Sequence, residues 1–216
     1  MHVKNQINRR LTYIPKIVDE LPVMEIFYSI QGEGFHAGKP AVFVRLGGCD
    51  VGCHWCDVKE SWDENDHPRM NIEDILGEVR NHSSKTVIVT GGEPLMYNLD
   101  LLTNTFKKYG YKMHLETSGV YKLTGNWDWI TFSPKKFKKP DQSIYSEADE
   151  IKAIVFNKSD FAFAESFISN LGDECYQYLQ PEWSKSDQMT PFIIDYAKAH
   201  PKWNISLQTH KYLNIP

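Results

Sequence analysis

Short apolar, β-branched runs alternate along this chain with longer segments whose apolar residues recur at helical spacing. Runs rich in Val, Ile, Phe, Tyr or Thr predict β-strands. We place strands at residues 23–30, 41–46, 86–90, 112–116, 129–133, 151–156, 176–179 and 205–208.

Amphipathic segments between these runs predict helices. In the first segment, Asn71 is suited to cap a helix whose apolar positions fall on one face. Those positions are Ile72, Ile75, Leu76 and Val79. Similar patterns cover residues 98–109, 159–171 and 185–199. Strands separated by helices of this length predict a parallel sheet with crossover helices.

The first strand–helix unit is irregular, because residues 58–69 are polar, charged and loop-like. We therefore expect an α/β fold, an incomplete TIM-like barrel rather than a complete eightfold one. No repeat or low-complexity linker interrupts the pattern, so residues 23–216 are interpreted as one domain. Residues 1–22 are interpreted as an N-terminal extension.

Composition narrows the class of protein. The 216 residues are 41% hydrophobic and 13% aromatic, enough for one substantial core. A net charge of −4 argues against bulk nucleic-acid binding. No run approaches eighteen apolar residues, so we predict no membrane helix. The first residues lack the apolar core of a signal peptide and there are only four cysteines, which together favour the cytoplasm.

Unusual residues follow five of the predicted strands. In a parallel sheet, the functional groups lie at the carboxyl ends of the strands. The loops there are CDVGCHWC (49–56), TGGEP (90–94), ETSG (116–119), SPKK (133–136) and QPEW (180–183). Five loops at one edge of the sheet predict a single site.

Three cysteines lie within the first of these loops, at Cys49, Cys53 and Cys56, whereas Cys175 is remote in sequence. Iron–sulfur clusters normally take four thiolates, and structural zinc takes four ligands. Three thiolates favour a cubane cluster with one iron left open. Zinc remains an alternative, with His54 or Asp57 as the fourth ligand. We expect Cys175 to be a packed thiol.

The spacing Cys-x3-Cys-x2-Cys, followed by TGGEP, resembles the radical S-adenosylmethionine (SAM) superfamily. Within it, FYSIQGEG (27–34), PAVFVRLGGC (40–49), SPK, ADEIK (148–152) and QTHKYLNIP (208–216) resemble the 7-carboxy-7-deazaguanine synthase family. The resemblance implies a 4Fe–4S cluster on the three cysteines and SAM on its open iron. It also implies a lyase that contracts the ring of 6-carboxy-5,6,7,8-tetrahydropterin, with loss of ammonia, in queuosine or deazapurine biosynthesis.

The resemblance extends to single residues. We expect Gly91 and Gly92 to let the backbone approach SAM, and Glu93 to accept a hydrogen bond from its amino group. The expected SAM-binding residues are Gly91, Gly92, Glu93, Ser133, Pro134, Lys135, Gln180, Pro181, Glu182 and Trp183. The expected substrate-binding residues are Ile30, Gln31, Gly32, Glu33, Arg45, Thr90, His210 and Pro216.

Arg45 is expected to hold the substrate carboxylate by two parallel hydrogen bonds. The apolar end of the chain is expected to dock so that the Pro216 carboxylate reaches the substrate. The partners implied are the pterin, an electron donor such as flavodoxin, and a second copy in a homodimer.

One position departs from the family pattern. Two residues beyond the last cysteine, the family commonly has a Thr or Ser that helps to hold a magnesium ion, whereas this chain has Val58. Valine has no ligand atom, and Asp57 is the candidate replacement. We expect weaker magnesium dependence than in relatives with Thr.

Two alternatives remain open at this point. One is another radical SAM enzyme, such as an activase that forms a glycyl radical on a partner protein. The other is a zinc-stabilised binding protein without catalytic activity.

Overall fold

The computed structural model describes residues 18–216 and contains one nine-stranded sheet. The strands are β1 (Glu20–Ile30), β2 (Pro40–Leu46), β3 (Arg69–Asn71), β4 (Thr86–Gly91), β5 (Lys112–Thr117), β6 (Trp129–Phe132), β7 (Glu150–Val155), β8 (Tyr176–Pro181) and β9 (Trp203–Ile205). Their order is β3-β1-β2-β4-β5-β6-β7-β8-β9, and the two edges do not pair with each other. The expected incomplete barrel is confirmed.

The beginning of the sheet differs from the prediction in two ways. Strand β1 starts at Glu20, three residues before the predicted boundary, and Glu20–Pro22 pair antiparallel with β3. The remainder of the predicted extension, up to residue 17, lies outside the described residues. β1 also pairs antiparallel with β2. Residues 31–39 are too few for a crossover helix and form a hairpin loop, in which the amide of Gln31 donates to the carbonyl of Lys39 at 2.8 Å.

From β2 to β9, all neighbouring strands are parallel, as the alternating pattern predicts. The helices are α1 (Ile72–Val79), α2 (Asp100–Lys108), α3 (Ser159–Ile168), α4 (Ser186–Ala199) and α5 (Thr209–Leu213). The first four were predicted, and the side chain of Asn71 caps α1 by accepting from the amide of Asp74 at 2.8 Å. The irregular stretch between β2 and β3 contains two single-turn 3-10 helices.

Two predicted strand ends are wrong. Strand β8 continues through Gln180 and Pro181, which we had assigned to a loop. Proline is tolerated there because β9 pairs β8 only as far as Leu179. The last strand is β9 rather than 205–208, and just beyond its end the Ser206 hydroxyl donates to Gln180 Oε1 at 2.6 Å.

The two faces of the sheet carry different residues. On β2, Val42, Val44 and Leu46 belong to the main apolar core, which also contains buried residues of the helices. The intervening Phe43 and Arg45 face a cavity instead. This alternation follows from the two-residue period of a strand. The convex face therefore packs against helices, and the concave face is left for the site.

No helix among residues 18–216 is both long and apolar enough to cross a membrane.

Candidate active site

A cavity of about 470 Å³ opens on the concave face, at the carboxyl ends of the parallel strands. All of the predicted site residues except Pro134 lie on its wall. They are Ile30, Gln31, Gly32, Glu33, Arg45, Cys49, Cys53, Cys56, Asp57, Val58, Thr90, Gly91, Gly92, Glu93, Ser133, Lys135, Gln180, Pro181, Glu182, Trp183, His210 and Pro216. Residues that are almost two hundred positions apart in sequence thus share one space.

The cysteine loop leaves β2 and lies along one side of the cavity. The amide of Cys49 donates to Trp62 O at 3.0 Å, and the amide of Cys56 donates to Cys53 O at 3.1 Å. All three thiols are free. Burial raises the pKa of Cys53 to about 11, although the nearby charge of Lys135 opposes this shift. A metal ion binds the thiolate and displaces this proton, so the metal affinity of the loop should increase with pH.

The cysteine loop fits a cluster better than a single zinc ion. Within residues 18–216, no three Cys, His, Asp or Glu side chains converge closely enough to bind one ion. His54 is exposed and places its ring edge-on to Phe156 at 5.3 Å, while Asp57 pairs with Lys211 at 2.9 Å. Neither predicted fourth zinc ligand is therefore directed at the thiols. Three separated thiols on one wall suit a cluster, because each thiolate binds a different iron.

The glycine loop packs directly against the start of the cysteine loop. A Cβ atom on Gly91 would lie 2.2 Å from Leu46 O, and one on Gly92 would lie 2.2 Å from Gly48 O. The backbone amide of Gly92 donates to Leu46 O at 2.9 Å. The close approach that requires glycine here is thus between two protein backbones, and it positions the segment leading to Cys49.

Glu93 is buried and both of its carboxylate oxygens are occupied. One oxygen accepts from the Leu95 amide at 3.1 Å and from the Thr117 hydroxyl at 2.5 Å. The other accepts from the amide of Ser118 at 2.8 Å and from its hydroxyl. The role that this geometry supports is to attach the glycine loop to the end of β5. Contact with the amino group of SAM stays a prediction.

A polar network crosses the floor of the cavity between β1, β4 and β5. The side-chain amide of Gln31 donates to Glu116 Oε1 at 2.9 Å, and the Thr90 hydroxyl donates to Glu116 Oε2 at 3.0 Å. The Gln31 carbonyl oxygen accepts from the amide of Glu33 at 3.0 Å. These bonds hold fixed acceptor oxygens toward the cavity, as recognition of a donor-rich ring requires.

A buried ion pair joins the same network. Lys152 of β7 donates to Glu33, whose other oxygen accepts from Gln208 at 2.9 Å. Burial alone would raise the pKa of Glu33, but the charge and hydrogen bond of Lys152 outweigh it and lower that pKa to about 2. Burial would likewise lower the pKa of Lys152, yet Glu116 and Glu33 keep it above its usual range. Both partners therefore remain charged at neutral pH.

Sequence reasoning did not name Lys152 or Gln208 as site residues, and it placed Glu116 at the site only as part of the loop ETSG, with no role of its own. For Lys152 and Glu116, the sequence did contain a signal, which is a charged residue within an otherwise apolar strand. Lys152 interrupts the buried run EIKAIV, and Glu116 is the penultimate residue of the strand KMHLET. Charged residues in strands that are otherwise apolar point to a polar face or a site, because burying an unpaired charge is costly.

Two further cations line the cavity. Lys135 is half-buried, donates to Ser133 Oγ at 2.6 Å and lies 5.5 Å from the centre of the Trp55 ring. Burial lowers the pKa of this lysine. Arg45 donates from Nε to Glu25 Oε1 at 2.6 Å, which leaves its terminal nitrogens for another acceptor.

The end of the chain docks against the loop that follows β1. Both the amide and the hydroxyl of Thr209 donate to Gly32 O, at 3.0 and 2.8 Å. The Ser29 hydroxyl donates to Pro216 O at 2.7 Å. These contacts place His210 and Pro216 on the cavity wall. Burial lowers the pKa of His210, although Glu33 opposes this shift.

The remaining cysteine does not reach the cavity. Cys175 is 8% exposed and belongs to the apolar core. Burial raises its pKa to about 12, so it is protonated at neutral pH. Its position agrees with the packed thiol expected from the sequence.

Comparison with known proteins defines the class first. The family model described as "Radical SAM superfamily" matches residues 43–136, which include the three cysteines and the glycine loop. This match covers less than half of the chain and indicates the class of radical SAM enzymes.

Full-length relatives define the family. A 7-carboxy-7-deazaguanine synthase of Flavobacterium psychrophilum is 53% identical, over 91% of this chain and 93% of the relative. The synthase of Escherichia coli K12 is 33% identical, over 91% of this chain and 99% of the relative. The crystal structure of QueE from Escherichia coli is similar with a TM-score of 0.80 at 30% identity, covering 87% of this chain and 93% of that one. The chain belongs to the 7-carboxy-7-deazaguanine synthase family. Both alternatives left open by the sequence, the glycyl-radical activase and the non-catalytic zinc protein, are therefore wrong.

Proposed function

We propose that this enzyme converts 6-carboxy-5,6,7,8-tetrahydropterin to 7-carboxy-7-deazaguanine and ammonia, as a lyase of queuosine or deazapurine biosynthesis. The observation that carries the proposal is that one continuous cavity joins the cysteine loop to the Glu33, Glu116 and Lys152 network. Product and ammonia together contain all the atoms of the substrate. The ring contraction therefore needs no net oxidant.

Cys49, Cys53 and Cys56 would hold three irons of a 4Fe–4S cluster, and Gly91–Glu93, Ser133–Lys135 and Gln180–Trp183 would surround SAM. When bound, this pair supplies a carbon-centred radical that abstracts a hydrogen atom from the substrate. The protein's own contribution is to orient the substrate and to exclude water. The close packing of Gly92 against Gly48 O supports an arrangement in which the two binding regions adjoin each other.

The pterin would bind against the loop Ile30–Glu33. Glu116 and Glu33 offer carboxylate oxygens to the ring donors, and Thr90 fixes Glu116 in place. Arg45 has free terminal nitrogens for the substrate carboxylate. His210 and Pro216 complete the wall from the end of the chain. The pKa of about 2 for Glu33 supports an acceptor role, because the ionised group has no proton to give.

Three further assignments stay predictions: a one-electron donor such as flavodoxin, a homodimer, and a cytoplasmic location. Magnesium is treated separately, because Val58 offers it no ligand. We propose that turnover depends less on magnesium here than in relatives with Thr at this position.

The test is anaerobic turnover. Protein reconstituted with iron and sulfide is mixed with SAM, a chemical reductant and the carboxytetrahydropterin. We expect deazaguanine and ammonia in equal amounts, with many product molecules per SAM consumed. If 5′-deoxyadenosine accumulates without deazaguanine, the superfamily assignment stands and the proposed substrate is wrong.

A further inference from the structure

An exposed ion pair lies at the mouth of the cavity, beside the cysteine loop. Lys211 of α5 donates from Nζ to Asp57 Oδ2 at 2.9 Å. The lysine side chain is 22% exposed and the aspartate 60% exposed. Nζ also lies 5.2 Å from the centre of the Trp183 ring. Lys211, Asp57 and Trp183 all line the cavity, so the ammonium group is held at its edge by a solvated partner.

Lys211 is more available to a bound anion than the lysines deeper in the cavity. Lys152 is 6% exposed and sits between Glu33 and Glu116. Separating a buried ion pair is costly, because an uncompensated charge is left behind. An ion pair with a well-solvated carboxylate contributes little, so its cation can exchange partners readily. A negatively charged substrate can therefore displace Asp57 from Lys211.

The same place does not suit a divalent cation. Val58 lines the cavity with a side chain that contains no oxygen or nitrogen. The charge of Asp57 is already balanced by Lys211. Throughout the described part of the chain, no three carboxylate, imidazole or thiol groups converge as ligands. Magnesium prefers oxygen ligands in near-octahedral geometry, and this site offers a valine and a neutralised carboxylate.

We propose that Lys211 supplies the fixed positive charge that a magnesium ion would otherwise supply here, and that it binds the carboxylate of the substrate. This rests on the proposed function. A carboxylate has about four acceptor sites on two oxygens, so Lys211 can bind it together with Arg45. Lysine suits the role because its ammonium is a compact charge with three donors. Asp57 holds the ammonium group of Lys211 at the cavity wall.

The experiment measures substrate binding separately from turnover. Equilibrium dialysis gives the Kd of the carboxytetrahydropterin for reconstituted, unreduced protein loaded with SAM. Wild type is compared with Lys211→Met, Lys211→Arg and the matched control Lys107→Met, which breaks a 3.0 Å surface pair with Asp128 outside the cavity. Each protein is measured in chelator-treated buffer with and without added magnesium.

We expect magnesium to leave the wild-type Kd unchanged. Lys211→Met should raise the Kd about tenfold to hundredfold, as loss of a charge-assisted hydrogen bond implies. Lys211→Arg should retain most of the affinity, and Lys107→Met all of it. In the double variant Val58→Thr/Lys211→Ala, we expect magnesium to lower the Kd, because a ligand oxygen has been added and the competing cation removed.

Two results overturn the proposal. One is a wild-type Kd that rises on chelation and recovers only with magnesium. The other is a Lys211→Met Kd equal to that of wild type in a protein that makes deazaguanine. Failure of the proposed function gives a different result: the pterin binds with Lys211-dependent affinity, yet no deazaguanine forms on reduction.

Discussion

At the scale of single residues, a few buried polar groups hold the loops of the site in place. Glu93 is 1% exposed and accepts hydrogen bonds from Leu95, Thr117 and Ser118. These bonds connect the glycine loop to β5, while the amide of Glu93 donates to Gly48 O at 2.8 Å, next to Cys49. Glu93 thereby links the glycine loop both to the end of β5 and to the start of the cysteine loop.

We predict that Glu93→Gln destabilises the protein. The amide of glutamine would direct donor hydrogens at groups that already donate to Glu93, so at least one buried hydrogen bond is lost. The free energy of unfolding of the metal-free protein should fall by about 2–4 kcal/mol, measured by urea denaturation. The control is Glu78→Gln on the exposed face of α1, where a change within about 0.5 kcal/mol is expected. Equal effects of the two substitutions would contradict the structural role of Glu93.

Sequence reasoning works at this scale when a function depends on local spacing. Cys49, Cys53 and Cys56 could be identified as candidate ligands because one short loop carries all three. Glu116 and Lys152 gave a weaker signal, because they lie on separate strands and their roles depend on contacts with Gln31 and Glu33. Strand alternation predicts that two residues share a face, but it does not predict which partners they meet there.

At the scale of elements, the segment after β9 shapes the site although it is only a short helix and its flanks. Thr209 binds the carbonyl of Gly32, and Ser29 binds Pro216. Gly32 touches this segment directly, since a Cβ atom on Gly32 would lie 2.2 Å from Nδ1 of His210 and 2.9 Å from its backbone nitrogen. The two segments therefore fit together only while residue 32 lacks a side chain.

We predict that Gly32→Ala displaces α5 and lowers kcat/KM for the pterin by about tenfold or more, because His210 and Lys211 move with the helix. Iron content after reconstitution should remain that of wild type, since the cysteine loop is not touched.

The control for this substitution is Gly77→Ala within α1, where an added Cβ meets no atom within 4 Å. This variant should be more stable by about 0.5–1 kcal/mol with unchanged kcat/KM. If Gly32→Ala has full activity, the close contact with His210 does not constrain the site.

Elements with a strong periodic signal were predicted well, and elements held by tertiary contacts were not. The apolar face and Asn71 cap of α1 are local features. Strand β3 and helix α5 are too short and too polar to show a period, and exist because β1 and Gly32 provide partners. The antiparallel pairing of β1 with β2 also depends on a loop whose conformation is set by contacts with β7, including the bond from the amide of Phe35 to Glu150 at 2.8 Å.

At the scale of the whole molecule, the residues that stabilise the open barrel lie on one face of its sheet and the residues of the site lie on the other. Its convex face packs against helices in one apolar core, and its concave face holds the cavity. The four cysteines divide in the same way, with three on the cavity wall and Cys175 in the core.

We predict opposite effects of two cysteine substitutions. Cys53→Ala should lose most of the iron after anaerobic reconstitution, because a cluster ligand is removed. Cys175→Ala should bind about four irons per chain like wild type, but its metal-free form should be less stable by about 1–2 kcal/mol, because a cavity is left in the core. Iron analysis and urea denaturation measure the two effects. Loss of iron in Cys175→Ala would make that residue a ligand and contradict its core role.

The sequence by itself determined the class of fold, the cysteine triplet and the set of loops that form the site, because periodicity and motif spacing are local properties of the chain. Only the tertiary structure decided the buried pairing of Lys152 with Glu33 and the contact of α5 with Gly32. It also decided the partner of Asp57, which is Lys211. These features depend on contacts between residues far apart in sequence, and such contacts are selected by packing and by the cost of leaving buried polar groups without partners.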